Sequence, residues 1–269
     1  MKKIAIYVLL MVFVLLLPMT VSAEVTQNDR LLQRPELDGA IVQENWLETE
    51  FRFENWDFDG SDAEVWTFGP TFISPVLRNQ FIELGGRVDI INFDPDGFES
   101  ETGLSDIDVW GKYQVFKNDD SMISVGLLLT LPTGSEKIVH PQASGEVNGE
   151  IFAGGRHKIS PSLVAIAHVA LRHNSDMDVE VGNRETEVDG ELQAKLGGGV
   201  IYEATQKLNL QGELNYATEA YEDFDDDVRL SVGADYEITP AFLLRGGSSF
   251  GLDDGAPDWG MTFGGLFQF

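Results

Sequence analysis

Beyond residue 23 the chain alternates. Val188, Leu192, Ala194, Leu196, Gly198, Val200 and Tyr202 fall on one face, with Asp189, Glu191, Gln193 and Lys195 on the other. Successive side chains of a strand point to opposite sides, so a period of two gives one oily face and one wet face. The row recurs at Leu208, Leu210, Leu214 and Tyr216 against Asn209, Gln211, Glu213 and Asn215. It recurs again from Val228 to Ile238 against Arg229, Ser231, Asp235 and Glu237. Ile82 to Ile90 carries Glu83, Arg87 and Asp89 on its polar face; Ile107 to Val115 carries Asp106, Asp108, Lys112 and Gln114. A spanning helix needs about 20 consecutive apolar residues, and none follow residue 23. If such a chain crosses a membrane, it does so with strands.

Twelve segments of this kind are expected, near 43–56, 64–74, 80–92, 104–117, 121–132, 146–157, 162–174, 187–203, 206–220, 227–238, 241–251 and 258–269. Most exceed ten residues, long for a soluble sheet and suited to a tilted crossing of about 9–11 residues. Short links near Ser74-Pro75, 117–120, Ser160-Pro161, 204–206 and Thr239-Pro240 alternate with mostly longer or acidic ones. Short turns at one rim and longer loops at the other are the habit of outer-membrane barrels, and an even count returns both termini to one side. Pro70 stands inside one segment, where it removes a ladder donor. The pattern also accommodates ten or fourteen strands.

The start of the chain sets the compartment. Lys2 and Lys3 precede an apolar run from Ile4 to Leu17, then Pro18 and the small-residue site Val21-Ser22-Ala23. This reads as a secretory signal peptide, residues 1–23, leaving 24–269 as one barrel domain. Without Lys2 and Lys3 the 18 basic residues become 16 against 45 acidic, a net charge of −29. Such a chain repels phosphate backbones, which excludes nucleic acid as a partner. There is no cysteine, hence neither a disulfide framework nor a thiolate metal site.

On the apolar face Tyr113, Tyr202 and Tyr236 lie close to expected short turns, and Trp259 opens the last segment at the other level. Rings at two levels match the girdles of a barrel in lipid. The last segment sets Trp259, Met261, Phe263, Gly265, Phe267 and Phe269 in one row ending at the C-terminus. Phe263, Phe267 and Phe269 read as the signal taken up by the barrel assembly machinery, because an extended end can join another sheet by strand addition.

Chemistry-bearing residues point to a lumen, not to catalysis. His140, His157, His168 and His173 show no tight metal spacing, and no G-x-S-x-G elbow occurs. The polar faces place Glu83, Arg87, Asp89, Asp106, Asp108, Lys112, Arg172, Glu191, Lys195, Glu213, Arg229 and Arg245 inside the barrel. Buried charges must be paired or wet, so the lumen is either a water-filled path or an interior plugged by ion pairs. Acidic loops (Asp94, Asp96, Glu99, Glu101; Asp176, Asp178, Glu180, Glu185; Glu222, Asp223, Asp225, Asp226, Asp227) read as solvated surface, with no EF-hand spacing. No cofactor or metal is expected.

The stretch Gly103-Leu104-Ser105-Asp106 through Gly111-Lys112-Tyr113, followed by Leu127 to Glu136 (LLLTLPTGSE), resembles the outer-membrane transporters grouped as the "MetA-pathway of phenol degradation" family. The resemblance spans most of the mature chain. It implies an outer-membrane barrel concerned with small, hydrophobic or aromatic solutes, with Pro132, Thr133 and Gly134 setting a strand exit. The expectation is an all-β, transmembrane, antiparallel up-and-down barrel that passes or binds a small solute in the Gram-negative outer membrane. A closed structural barrel and a lipid-modifying enzyme are its rivals.

Overall fold

The computed structural model describes residues 25–58, 61–76, 81–97, 99–135, 141–181, 184–222 and 224–269. The signal-peptide reading of residues 1–23 falls outside the described residues, as do His140 and Asp223. The strands are β1 (Trp46–Phe58), β2 (Ser61–Pro75), β3 (Ile82–Arg87), β4 (Ile90–Pro95), β5 (Glu101–Leu104), β6 (Ile107–Lys117), β7 (Ser121–Leu131) and β8 (Asn148–Ser160). There follow β9 (Leu163–His173), β10 (Met177–Val181), β11 (Arg184–Val188), β12 (Leu192–Thr205), β13 (Leu208–Ala217), β14 (Asp227–Thr239), β15 (Phe242–Gly251) and β16 (Trp259–Gln268). β1 pairs with both β2 and β16, so the antiparallel sheet closes on itself. β3 and β4 form one interrupted stave, β5 and β6 another, and β10 pairs only with β11. Twelve staves result, with Val25, the start of β1 and the C-terminus at one end, called here the terminal end.

The interruptions explain the proline. Pro70, in β2, faces the gap at Val88 and Asp89 between β3 and β4. Proline has no N–H to offer, and the neighbouring stave stops requiring one at that level. Val88 N donates to the Pro70 carbonyl at 3.3 Å. The next stave breaks at the same height, at Ser105 and Asp106. Ser105 N donates to the Asp89 carbonyl (2.8 Å), and Asp89 N donates to Ser105 Oγ (2.9 Å). Two expected boundaries move accordingly. The segment 80–92 is split between β3 and β4, and the segment 187–203 begins at Leu192, because Val188 closes a separate rim hairpin.

Burial is the reverse of a soluble protein's. Along β1, Glu48, Glu50, Arg52 and Glu54 are buried while Phe51 is 42% exposed. Phe68, Leu84, Leu127, Val169, Leu196, Leu214 and Phe263 are likewise exposed, around the whole circumference. Bare apolar side chains outside and charge within is the arrangement a bilayer requires of a barrel. Near the terminal end Tyr113, Tyr236, Phe267 and Phe269 are exposed, and the Phe242 and Phe267 rings stack at 4.5 Å. At the far end Trp259 leans on Phe53, with ring centres 5.2 Å apart. The seam runs from Trp46↔Gln268 to Asn55↔Trp259, and Asn45 and Phe269 add a reciprocal pair of backbone bonds, 3.1 and 3.0 Å.

Candidate functional site: a lumen cavity floored by an internal loop

Residues 25–45 form no strand; they form a loop inside the barrel. Val25 N donates to the Pro161 carbonyl (3.0 Å) at the terminal-end turn between β8 and β9. The chain rises through the buried residues Arg30, Leu31 and Leu32, turns over in a 3-10 turn at Pro35–Leu37, and descends through Ala40, Ile41 and Val42 to β1. Pro35 supplies the fixed φ suited to the start of that turn. Leu37 then drops into a cluster with Trp110, Leu128, Phe152 and Ala170. The facing strands make room: a Cβ on Gly154 would collide with the Leu37 carbonyl, and one on Gly233 or Gly247 with Leu32.

Charges hold the loop at two heights. Low in the lumen Glu83 forms an ion pair with Lys112 (2.8 Å) and accepts from Arg30 (3.5 Å) and the Val42 N–H (2.8 Å). Asp38 pairs with Arg156 at 2.8 Å. Burial favours the protonated form of Asp38, but the charges of Arg156, Arg30 and Lys112 outweigh it and hold its pKa below the usual value. Higher up, Arg34 pairs with Glu36 (2.5 Å) and Glu150 (2.6 Å), and Glu150 also takes Lys195 (2.9 Å). Desolvation works against the Arg34 charge, yet Glu150 and Glu36 prevail and keep its pKa above normal. Gln33 N donates to Glu213 (2.9 Å), and Arg245 donates to the Arg30 carbonyl (3.2 Å) while pairing with Asp235 (2.8 Å).

Above the loop lies a cavity of about 850 Å³. Gln33, Arg34, Pro35 and Glu36 form its floor, and Phe224, Asp225, Asp254 and Gly255 of the far-end connections reach it from above. Of the residues placed inside from sequence, Arg87, Asp89, Asp106, Asp108, Arg172, Lys195 and Arg229 line this cavity. Glu83, Lys112, Glu213 and Arg245 are buried beside the loop. Glu191 differs: it is exposed at the far rim, ahead of β12, where its backbone bonds Asn174 and Ala220. The alternation continued past the point where the rim hairpin takes over from the wall. Sequence reasoning missed Arg30, Arg34 and Asp38, and also Glu48, Glu50, Arg52, Glu54 and Glu150. The strict β1 alternation could have found Glu48, Glu50, Arg52 and Glu54; the loop has no period to read.

Asp106 has a narrower task. Its carboxylate accepts from the backbone N–H groups of Thr133 (3.0 Å), Gly134 (2.7 Å) and Gly145 (3.1 Å), and from Ser144 Oγ (3.2 Å). The G-L-S-D and L-P-T-G elements are thus joined, and a Cβ on Gly134 would stand 2.8 Å from the same carboxylate. Ser121 Oγ and His157 Nδ1 lie 2.8 Å apart at the terminal end. No acid of the described residues is bonded to the other ring nitrogen, the place a third member of a hydrolytic triad would take. Among the described residues no group of three or more histidine or acidic side chains is arranged to hold a metal.

A closed wall of twelve staves, oily outside and charged within, has known counterparts. The fold is that of outer-membrane channel barrels. A COG4313 outer membrane channel from Pseudomonas putida F1 superposes with a TM-score of 0.72 at 11% identity, over 89% of this chain and 100% of that one. The CymD monoaromatic hydrocarbon channel gives 0.51 at 9% identity, over 91% and 95%. The KdgM porin in complex with disordered oligogalacturonate gives 0.51 at 15% identity, over 82% and 99%. No protein-family model matches the chain. No curated protein sequence matches it either.

Proposed function

We propose that this chain is a channel for small solutes in the Gram-negative outer membrane, closed on the periplasmic side by its own residues 25–45. The carrying observation is the cavity itself: a charged lumen inside a complete barrel, with a loop rather than a strand as its floor. The likeness to a COG4313 channel and to a monoaromatic hydrocarbon channel supports a small, hydrophobic or aromatic solute and kinship with the phenol-degradation transporters. The neighbours include channels and porins alongside autotransporter translocator domains, and the Ser121–His157 pair adds no case for an enzyme. Lipid is the partner of the apolar belt. The assembly machinery is the proposed reader of Phe263, Phe267 and Phe269, whose strand completes the seam.

Planar-bilayer recording tests this reading. Wild-type protein is expected to give rare, short current steps, and a variant lacking residues 26–42 long-lived ones, with every strand retained. The closed-barrel alternative draws support from how thoroughly the loop is paired, and two silent but correctly folded proteins would establish it.

A further inference from the structure

Among the described residues six arginines and lysines line the cavity, and five of them are already paired. Arg34 and Lys195 share Glu150, Arg52 and Arg87 share Glu50, and Arg229 bridges Glu54 and Asp227. Arg172 is different. Its Nε donates to Asn174 Oδ1 (2.9 Å) and its Nη2 to Thr130 Oγ1 (3.1 Å), both neutral. Glu150 stands directly opposite in the β8–β9 register, yet its two oxygens are taken by Arg34 and Lys195. Asp108 reaches only the Thr130 hydroxyl, at 2.6 Å. The guanidinium is therefore fixed by two neutral partners and faces the cavity with no carboxylate of the described residues in ion-pair range.

The wall beneath it is apolar. Leu128 and Trp110 stand two residues below Thr130 and Asp108 on the same faces, a drop of about 7 Å, and both line the cavity with Pro35. One polar group in this wall is also unpaired among the described residues: Trp110, its ring against Gly85, has an Nε1–H with no acceptor. A buried donor without a partner costs stability, and a ligand that supplies an acceptor recovers it. The rim adds a filter, because Asp57, Asp225 and Asp254 also line the cavity and repel a second negative charge.

We propose that the cavity binds solutes bearing one carboxylate, received by Arg172 with the apolar body against Trp110 and Leu128. This rests on the channel reading and names the chemical class of its solute. The pairing is charge-assisted and suits the planar fork of arginine better than a lysine point charge.

The test uses the whole barrel in detergent and four ring probes: benzoate, benzyl alcohol, benzylamine and the dianion phthalate. Titration calorimetry at fixed ionic strength is expected to show benzoate binding at least tenfold more tightly than the other three. Arg172→Gln removes that preference, and Arg172→Lys keeps part of it, each variant being checked for heat-modifiable migration. Benzoate that binds no better than benzyl alcohol, or equally well to folded Arg172→Gln, overturns the proposal. Wild-type protein that shows stepwise currents but no preference for benzoate defeats the Arg172 assignment alone. Silent bilayers with discrimination intact defeat the channel and leave the site.

Discussion

At the scale of single residues, two positions control whether the lumen is filled. Gly154 leaves no room for any side chain beneath the Leu37 carbonyl. Gly154→Val should expel the loop while leaving the wall intact: trypsin would then cut after Arg30 in the folded protein, where the wild type resists. Asp38 is the second position. Its pKa is depressed by Arg156, Arg30 and Lys112, which overcome the effect of burial. A depressed carboxylate stabilises the folded form above its unfolded pKa of about 3.9, and that contribution fades as pH falls through the folded value. Opening frequency in bilayers should therefore be flat from pH 8 to about pH 5 and rise only below about pH 4. Asp38→Asn should behave at neutral pH as the wild type does in acid; an unchanged record would show that Asp38 is not a latch.

At the scale of elements, the wall was legible and the loop was not. Alternation located each stave because a barrel in lipid imposes the same two-sided demand on every residue of a strand. It failed at Glu191, where a rim hairpin continues the period without belonging to the wall, and at 80–92, where β3 gives way to β4. The inner loop satisfies its groups one at a time, from whichever strand lies near, so nothing regular marks it in the sequence. Lumen-facing glycines were the available clue: Gly233 and Gly247 are direct partners across β14 and β15, and both lie under Leu32. Among the cavity residues, the inward face of Arg172 could be read but not its lack of a carboxylate, which depends on Arg34 taking Glu150. Asp106, at the break in the fourth stave, ties that stave to the link after β7. Asp106→Ala strands three backbone N–H groups and should lower stability by about 3 kcal/mol, measured by urea unfolding from detergent.

For the whole molecule the decisive question is what touches the outside. Leu196, 57% exposed in the middle of β12, faces lipid if the barrel sits in a bilayer. Leu196→Arg should then cost about 2–4 kcal/mol for folding into liposomes, whereas the same change on a watered surface would be nearly neutral. A different consequence follows from the route of residues 25–45. The segment goes in and comes out by the same rim, tied at one end to Pro161 and continuous at the other with β1. No stave passes through it and it passes through none. It is a stopper on a tether: its withdrawal into the periplasm and return would part no rung of the ladder between staves.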